Sequence, residues 1–151
     1  MTATAQVHHD LALMARLIVA TIACGVLGAE RQHRGHEAGL RTFGLVGLGS
    51  AGLVALSGDA FALDTGKVVA GIITGVGFLG AGMLIRSGET VRNLTSAAAS
   101  WASAALGAAI GAGRYAIGLT MAALALALLE IPYVPGVRRL DATAKEHELR
   151  P

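Results

Sequence analysis

The charged residues of this chain fall in short clusters, and the intervals between the clusters are almost wholly apolar. Five such intervals run in order: Leu11–Ala29 (interrupted by Arg16), Thr42–Ser57, Val68–Ile85, Leu94–Gly113 and Tyr115–Leu129. A helix that crosses the hydrocarbon of a bilayer needs roughly 17–25 mostly apolar residues. The first, third and fourth intervals reach that length directly. The second reaches it with neighbouring uncharged residues, and the fifth with Ile131–Val134 beyond an interfacial Glu130. None shows the polar face of a surface helix. Lipid offers the backbone no hydrogen-bond partners, so each segment must satisfy its own N–H and C=O groups. The expected fold is therefore all-α, a polytopic transmembrane helical bundle of five spans. Composition agrees, with 54% of the 151 residues hydrophobic and 15% charged, where soluble domains carry about 25% charged residues. Such apolar content excludes a disordered chain, and a single cysteine, Cys24, excludes a disulfide scaffold.

Leu11–Ala29 reads as a retained span. Its apolar core is longer than that of a signal peptide, and Glu30-Arg31-Gln32 is not a small-residue cleavage site. The chain then divides into an N-terminal tail (1–10), a membrane domain (11–134) and a C-terminal tail (135–151), in which Ala142–Leu149 suits one short surface helix. Nine of the twelve basic residues fall on one side of a five-span bundle: Arg31, Arg34, Arg41, Arg86, Arg92, Arg138, Arg139, Lys145 and Arg150. Lys67, Arg114 and Arg16 fall toward the other. The bias of Lys and Arg toward cytoplasmic loops places the N-terminus outside and the C-terminus in the cytoplasm. These flanks have no aromatic interleaving, which argues against nucleic-acid binding. Tyr115 and Tyr133 bracket the fifth span, about 27 Å apart on an ideal helix, as in an aromatic belt.

Small residues recur at helical spacing. Ala20, Cys24 and Gly28 lie four apart in the first span; Ser96, Ser100, Ser103, Gly107 and Gly111 stripe the fourth. Gly75, Gly77, Gly80 and Gly82 crowd the third. In lipid, helices associate through close backbone approach and interhelical hydrogen bonds, so these positions, Gly75, Gly80 and Gly82 in particular, are the expected contact points. The competing reading of Gly75–Gly82 is an unwound, cavity-lining segment. Arg16 lies near enough to the outer end to snorkel, or to pair with Asp59 or Asp64. His33, His36 and Glu37 have donor atoms for a transition metal, yet no second cluster completes a set, and the metal question stays open. No catalytic motif is present, so no enzyme is expected.

Three stretches together carry a family resemblance: Gly28-Ala-Glu-Arg-Gln-x-Arg-Gly-x-x-Ala-Gly-Leu-Arg-Thr42, Gly75-Val-Gly-Phe-Leu-Gly-Ala-Gly82 followed by Arg86, and Val91-Arg-Asn-Leu-Thr-Ser-Ala-Ala-Ala-Ser-Trp101. The pattern, from Leu11 to Leu129, resembles the MgtC/SapB family of bacterial cytoplasmic-membrane proteins, in a short form that is the membrane domain alone. The resemblance implies a non-enzymatic inner-membrane protein linked to magnesium homeostasis and growth at low magnesium. It carries Glu30, Arg31, Arg34, Arg41, Thr42, Asp64, Arg86, Arg92 and Thr95 over as a polar cluster, and Gly28, Gly75, Gly77, Gly80 and Gly82 as helix-packing glycines. Asn93 stands where a Gly is usual, and Gly71 where a polar residue is common.

Two functions fit: a regulator of other membrane proteins, and a magnesium or small-ion transporter or channel. Magnesium favours carboxylates and carbonyls, and no acidic residue falls within a span, which favours the regulator. No cofactor is expected, since no ligand cluster supports Mg2+ association. The expected partners are the bilayer and other membrane proteins, with a homo-oligomer left open. With the first and third loops on one side, Glu30 is expected to face Arg31, Arg34, Arg41, Arg86 and Arg92, leaving surplus positive charge.

Overall fold

The computed structural model describes residues 3–59, 64–87 and 90–133. Five helices follow in order: α1 (Ala3–His33), α2 (Leu40–Asp59), α3 (Thr65–Met83), α4 (Leu94–Gly111) and α5 (Tyr115–Glu130), the last running into a 3-10 turn, Ile131–Tyr133. Each span is long and apolar enough to cross a membrane. One element departs from the all-helical expectation. Between α3 and α4 the chain forms a small antiparallel hairpin, β1 (Ile85–Ser87) and β2 (Thr90–Arg92), with Arg86 opposite Val91. A second departure is α1, whose 31 residues begin at Ala3 and take in the expected N-terminal tail. At 1.5 Å per residue α1 is about 46 Å long, against roughly 30 Å of hydrocarbon. The expected helix at Ala142–Leu149 and the side chain of Asp59 lie outside the described residues.

Two helix ends are closed by glycine. Gly35 (φ +79°) follows α1 and Gly113 (φ +76°) follows α4. After α1 the His36 N–H reaches Arg31 O and the Gly35 N–H reaches Gln32 O; after α4 the Arg114 N–H reaches Ala109 O and the Gly113 N–H reaches Ile110 O. This paired closure requires a left-handed residue, which glycine supplies without a Cβ clash. Asn93, at the start of α4, is also left-handed (φ +67°). Asparagine is one of the few side chains that tolerates that region, which accounts for its standing where glycine is usual.

The centre of the bundle is α1, α2 and α4; α3 and α5 lie on α4 as outer helices. The two small-residue stripes face inward as expected: Ala20, Cys24 and Gly28 are buried on α1, and Ser96, Ser100, Ser103, Gly107 and Gly111 on α4. At Gly107 the backbones of α2 and α4 touch, and a Cβ there would lie 2.7 Å from Gly47 O. At Gly111 it would lie 2.7 Å from Ala51 Cα, and at Gly28 2.8 Å from Leu40 Cα. Cys24 fills the space over Gly47 and donates weakly from Sγ to Ser103 O (3.4 Å).

Three of the α3 glycines behave differently from the expectation drawn from their density, while Gly80 is buried against α4. A Cβ at Gly75, Gly77 or Gly82 would meet nothing within 4 Å, and at Gly80 it would meet Ala97 Cβ and O at an ordinary 3.7 and 3.9 Å. Of the five expected packing glycines, Gly28 alone makes a close backbone approach within this chain. Nor does α3 unwind there, being a continuous helix through Met83. Glycine count reports propensity cost; it does not say which face meets a neighbour.

Candidate functional site

The polar residues gather at the end of the bundle where α1 stops and α4 starts. Arg34 follows the last residue of α1 and still donates its N–H to Glu30 O (3.0 Å), so the two side chains, four residues apart, share a face. Arg34 Nε is 3.5 Å from Glu30 Oε1, and Arg31 Nη1 is 3.7 Å from Glu30 Oε2. Arg31 turns into the bundle: its side chain is 5% exposed, and Nη2 donates to Ser96 Oγ at 3.4 Å. Ser96 lies in the first turn of α4. A charged pair this deep is held in place because each partner, left alone, would bear a desolvation cost of several kcal/mol. Both Glu30 oxygens, Arg31 Nε and Arg34 Nε have no hydrogen-bond partner among the described residues, and neither do the hydroxyls of Ser100 and Ser103 further down α4.

Arg34 reaches the other way. It donates to Glu130 Oε2 at 2.6 Å and lies 3.6 Å over the Tyr133 ring. The sequence places Glu130 and Tyr133 at the interface, at the end of the fifth span. They also join Glu30, Arg31 and Arg34 in one polar knot, a role that no spacing signal could reveal because 96 residues separate Arg34 from Glu130.

The expected polar cluster is thus divided. Glu30, Arg31 and Arg34 are together. Arg92 lies across a cleft of about 480 Å³ whose other walls are Arg34, Gly35, His36, Glu37 and Asn93. Thr42 lines an adjoining cleft of about 280 Å³ with Glu37, Asn93 and Ser96. Arg41 does not face Glu30: it is exposed and lines a separate cleft with Gln32, His33 and Leu40. Successive residues on a helix point about 100° apart, so Arg41 and Thr42 cannot share a face. Thr95 is exposed on the first turn of α4. Asp64 lies immediately before α3, where its Oδ1 accepts from the Gly66 N–H (2.9 Å) and caps that helix. The side chain of Arg86 lies outside the described residues. Asn93 Nδ2 donates to Met83 O (3.3 Å), tying the end of α3 to the start of α4.

Arg16 also finds a different role. Its Nη1 donates to Gly111 O at 3.1 Å, so it sits on the C-terminal carbonyls of α4. Those carbonyls carry the negative end of the helix dipole, a favourable place for a cation. Asp64 is taken by its own cap and by Lys67 Nζ at 3.9 Å.

Among the described residues no three His, Cys, Asp or Glu side chains converge as metal ligands. His36 is held below the usual histidine range by partial burial and by the Arg31 guanidinium, while Glu30 pulls it up. His36 should therefore titrate below 6.5 in an imidazole NMR titration, and lower still in Glu30→Gln. As its folded value is depressed, the neutral form is the favoured one, and protonation as pH falls through about 6.5 works against the fold. An unchanged His36 midpoint in Glu30→Gln would rule out the coupling.

A family model described as the MgtC family matches residues 17–133. The chain is 43% identical over 125 residues to YhiD of Escherichia coli, named as a candidate magnesium transporter, covering 77% of this chain and 58% of YhiD. It is 41% identical over 99 residues to protein MgtC of Salmonella typhimurium, covering 66% of this chain and 43% of that protein. Protein SrpB of Synechococcus elongatus is 44% identical over 124 residues, covering 72% of this chain and 68% of SrpB. The chain spans about half the length of YhiD and MgtC. No solved structure matches it at a significant level.

Proposed function

The chain belongs to the MgtC family, and from that premise we propose that it is a multi-pass protein of the bacterial cytoplasmic membrane, linked to magnesium homeostasis and growth at low magnesium, that acts without catalysis by regulating other membrane proteins. The observation that carries the regulatory reading is the centre of the bundle. Where α2 and α4 cross, the Gly107 and Gly111 positions lie against the backbone of Gly47 and Ala51, with no room even for a methyl group. An ion path through the middle of one copy would have to part those backbones. The cleft of about 480 Å³ at the loop-one end is lined by Arg34 and Arg92 against the single carboxylate Glu37, a net positive setting that discourages a bare divalent cation. The second reading, a magnesium or small-ion transporter, draws on the name of YhiD. Purified protein in liposomes separates the two. The expected result is no magnesium flux above that of empty liposomes; flux that saturates with magnesium would overturn the regulatory reading.

Orientation belongs to the same proposal. Arg31, Arg34, Arg41 and Arg92 share one end of the bundle, and the bias of basic residues assigns that end to the cytoplasm. A periplasm-specific reporter fused at Gly58 should be active, and one fused at the C-terminus inactive. The reverse pattern would invert the topology.

A further inference from the structure

We propose that Arg34 is a clasp, through which the state of the first loop sets the position of the cytoplasmic-side end of α5. The bundle itself holds α5 thinly. Its buried residues are Gly118, Ala122 and Leu129, while Leu124 and Leu128 are 60% and 66% exposed. At the Glu130 end, the polar contacts among the described residues that tie it to the end of α1 converge on one guanidinium. Arg34 meets Glu30 on the last turn of α1 (3.5 Å), Glu130 at the last turn of α5 (2.6 Å) and the face of Tyr133 (3.6 Å). A planar guanidinium can stack on an aromatic ring while its edge donates to a carboxylate; an ammonium cannot do both. The ion pair and the stack reinforce one another, because each fixes the plane that the other requires.

The same side chain forms a wall of the cleft lined by His36, Glu37 and Arg92. It follows directly on α1 and precedes Gly35, whose positive φ turns the chain into the loop. Arg34 is therefore common to two structures. A rearrangement of the loop that redirects its guanidinium releases Glu130 and Tyr133, and the end of α5 is then held by apolar packing of Leu129, Leu126, Ala125 and Ala122. Glu130 and Tyr133 are 46% and 44% exposed, so the far side of the clasp is accessible and its release exposes little new apolar surface. Contacts of that kind open at low free-energy cost compared with the buried core.

The test uses the full chain in lipid nanodiscs, with Cys24→Ala as background and nitroxide labels at the exposed positions His33 and Ile131. Dipolar EPR should give one narrow distance. Arg34→Gln, Glu130→Gln and Tyr133→Leu should each lose it and give a broad distribution, and Arg34→Lys should too, because it keeps the charge and loses the stack. Tyr133→Phe keeps the ring and should keep the narrow distance. If Arg34→Gln does not fold, the exposed-site variants Glu130→Gln and Tyr133→Leu decide. A narrow, unshifted distance in both Glu130→Gln and Tyr133→Leu overturns the clasp.

Discussion

Gly107→Leu should fail to accumulate as a folded protein, and Gly111→Leu with it, whereas Gly75→Leu and Gly77→Leu should accumulate as the unmodified chain does. The obstacle at Gly107 is backbone: a Cβ would lie 2.7 Å from Gly47 O and 2.9 Å from Gly47 Cα. A side-chain obstacle can change rotamer, but a helix backbone can only translate. Added methylenes in a packed core cost about 1–3 kcal/mol when neighbours can relax. A leucine between two touching helices exceeds that range, since α2 and α4 must separate along their length and would take with them the contacts of Phe43, Ala51, Leu106 and Ile110. At Gly75 and Gly77 the added atoms project into open space. There the leucine also gains roughly 1 kcal/mol of helix propensity over glycine. Fluorescence-detected size-exclusion chromatography of a tagged chain reads the outcome. A monodisperse Gly107→Leu peak of normal height would refute the backbone contact.

The second large effect is expected at Arg31. Arg31→Met removes one member of a pair in which Arg31 is 5% and Glu30 is 9% exposed at the side chain. Breaking a buried pair from one side costs about 3–5 kcal/mol, because the remaining charge stays desolvated and poorly compensated. Arg34 remains 3.5 Å from Glu30, but it is shared with Glu130 and cannot replace the lost ion-pair contact at Glu30 Oε2. Arg31→Met should therefore lower the melting temperature sharply. The double variant Glu30→Gln with Arg31→Met should recover much of the loss, since it buries two neutral groups in place of one orphan charge. A single variant that melts with the unmodified chain would mean that Glu30 is already neutral or hydrated, and the knot would lose its electrostatic basis.

Much of this protein was legible in the order of its residues. The five spans follow from runs of apolar residues that only a membrane accommodates, and the inward faces of α1 and α4 follow from small residues at four-residue spacing. Helical periodicity reports such a stripe whatever it packs against. Glu30 and Arg34 could be paired from their one-turn separation alone. The glycines of α3 show the limit. They are denser than those of α4, yet Gly75, Gly77 and Gly82 face open space and Gly80 meets Ala97 only at ordinary contact distance, while Gly107 and Gly111 lie on the α2 backbone. Spacing along one helix does not contain the rotation of that helix about its axis, which is settled by packing against its neighbours.

The same distinction separates the sites. Local geometry and composition determined that this chain spans a membrane and concentrates basic residues at one end, because hydrophobic length and charge are properties of segments. Only the tertiary structure decided that Arg31 turns inward to Ser96, that Arg41 turns away, that Arg16 caps α4, and that Arg34 holds Glu130 and Tyr133. Each of those outcomes depends on where a long cationic side chain finds its nearest acceptor or aromatic face. That partner is brought within reach by the folding of helices far apart in the chain, which no local pattern of residues encodes.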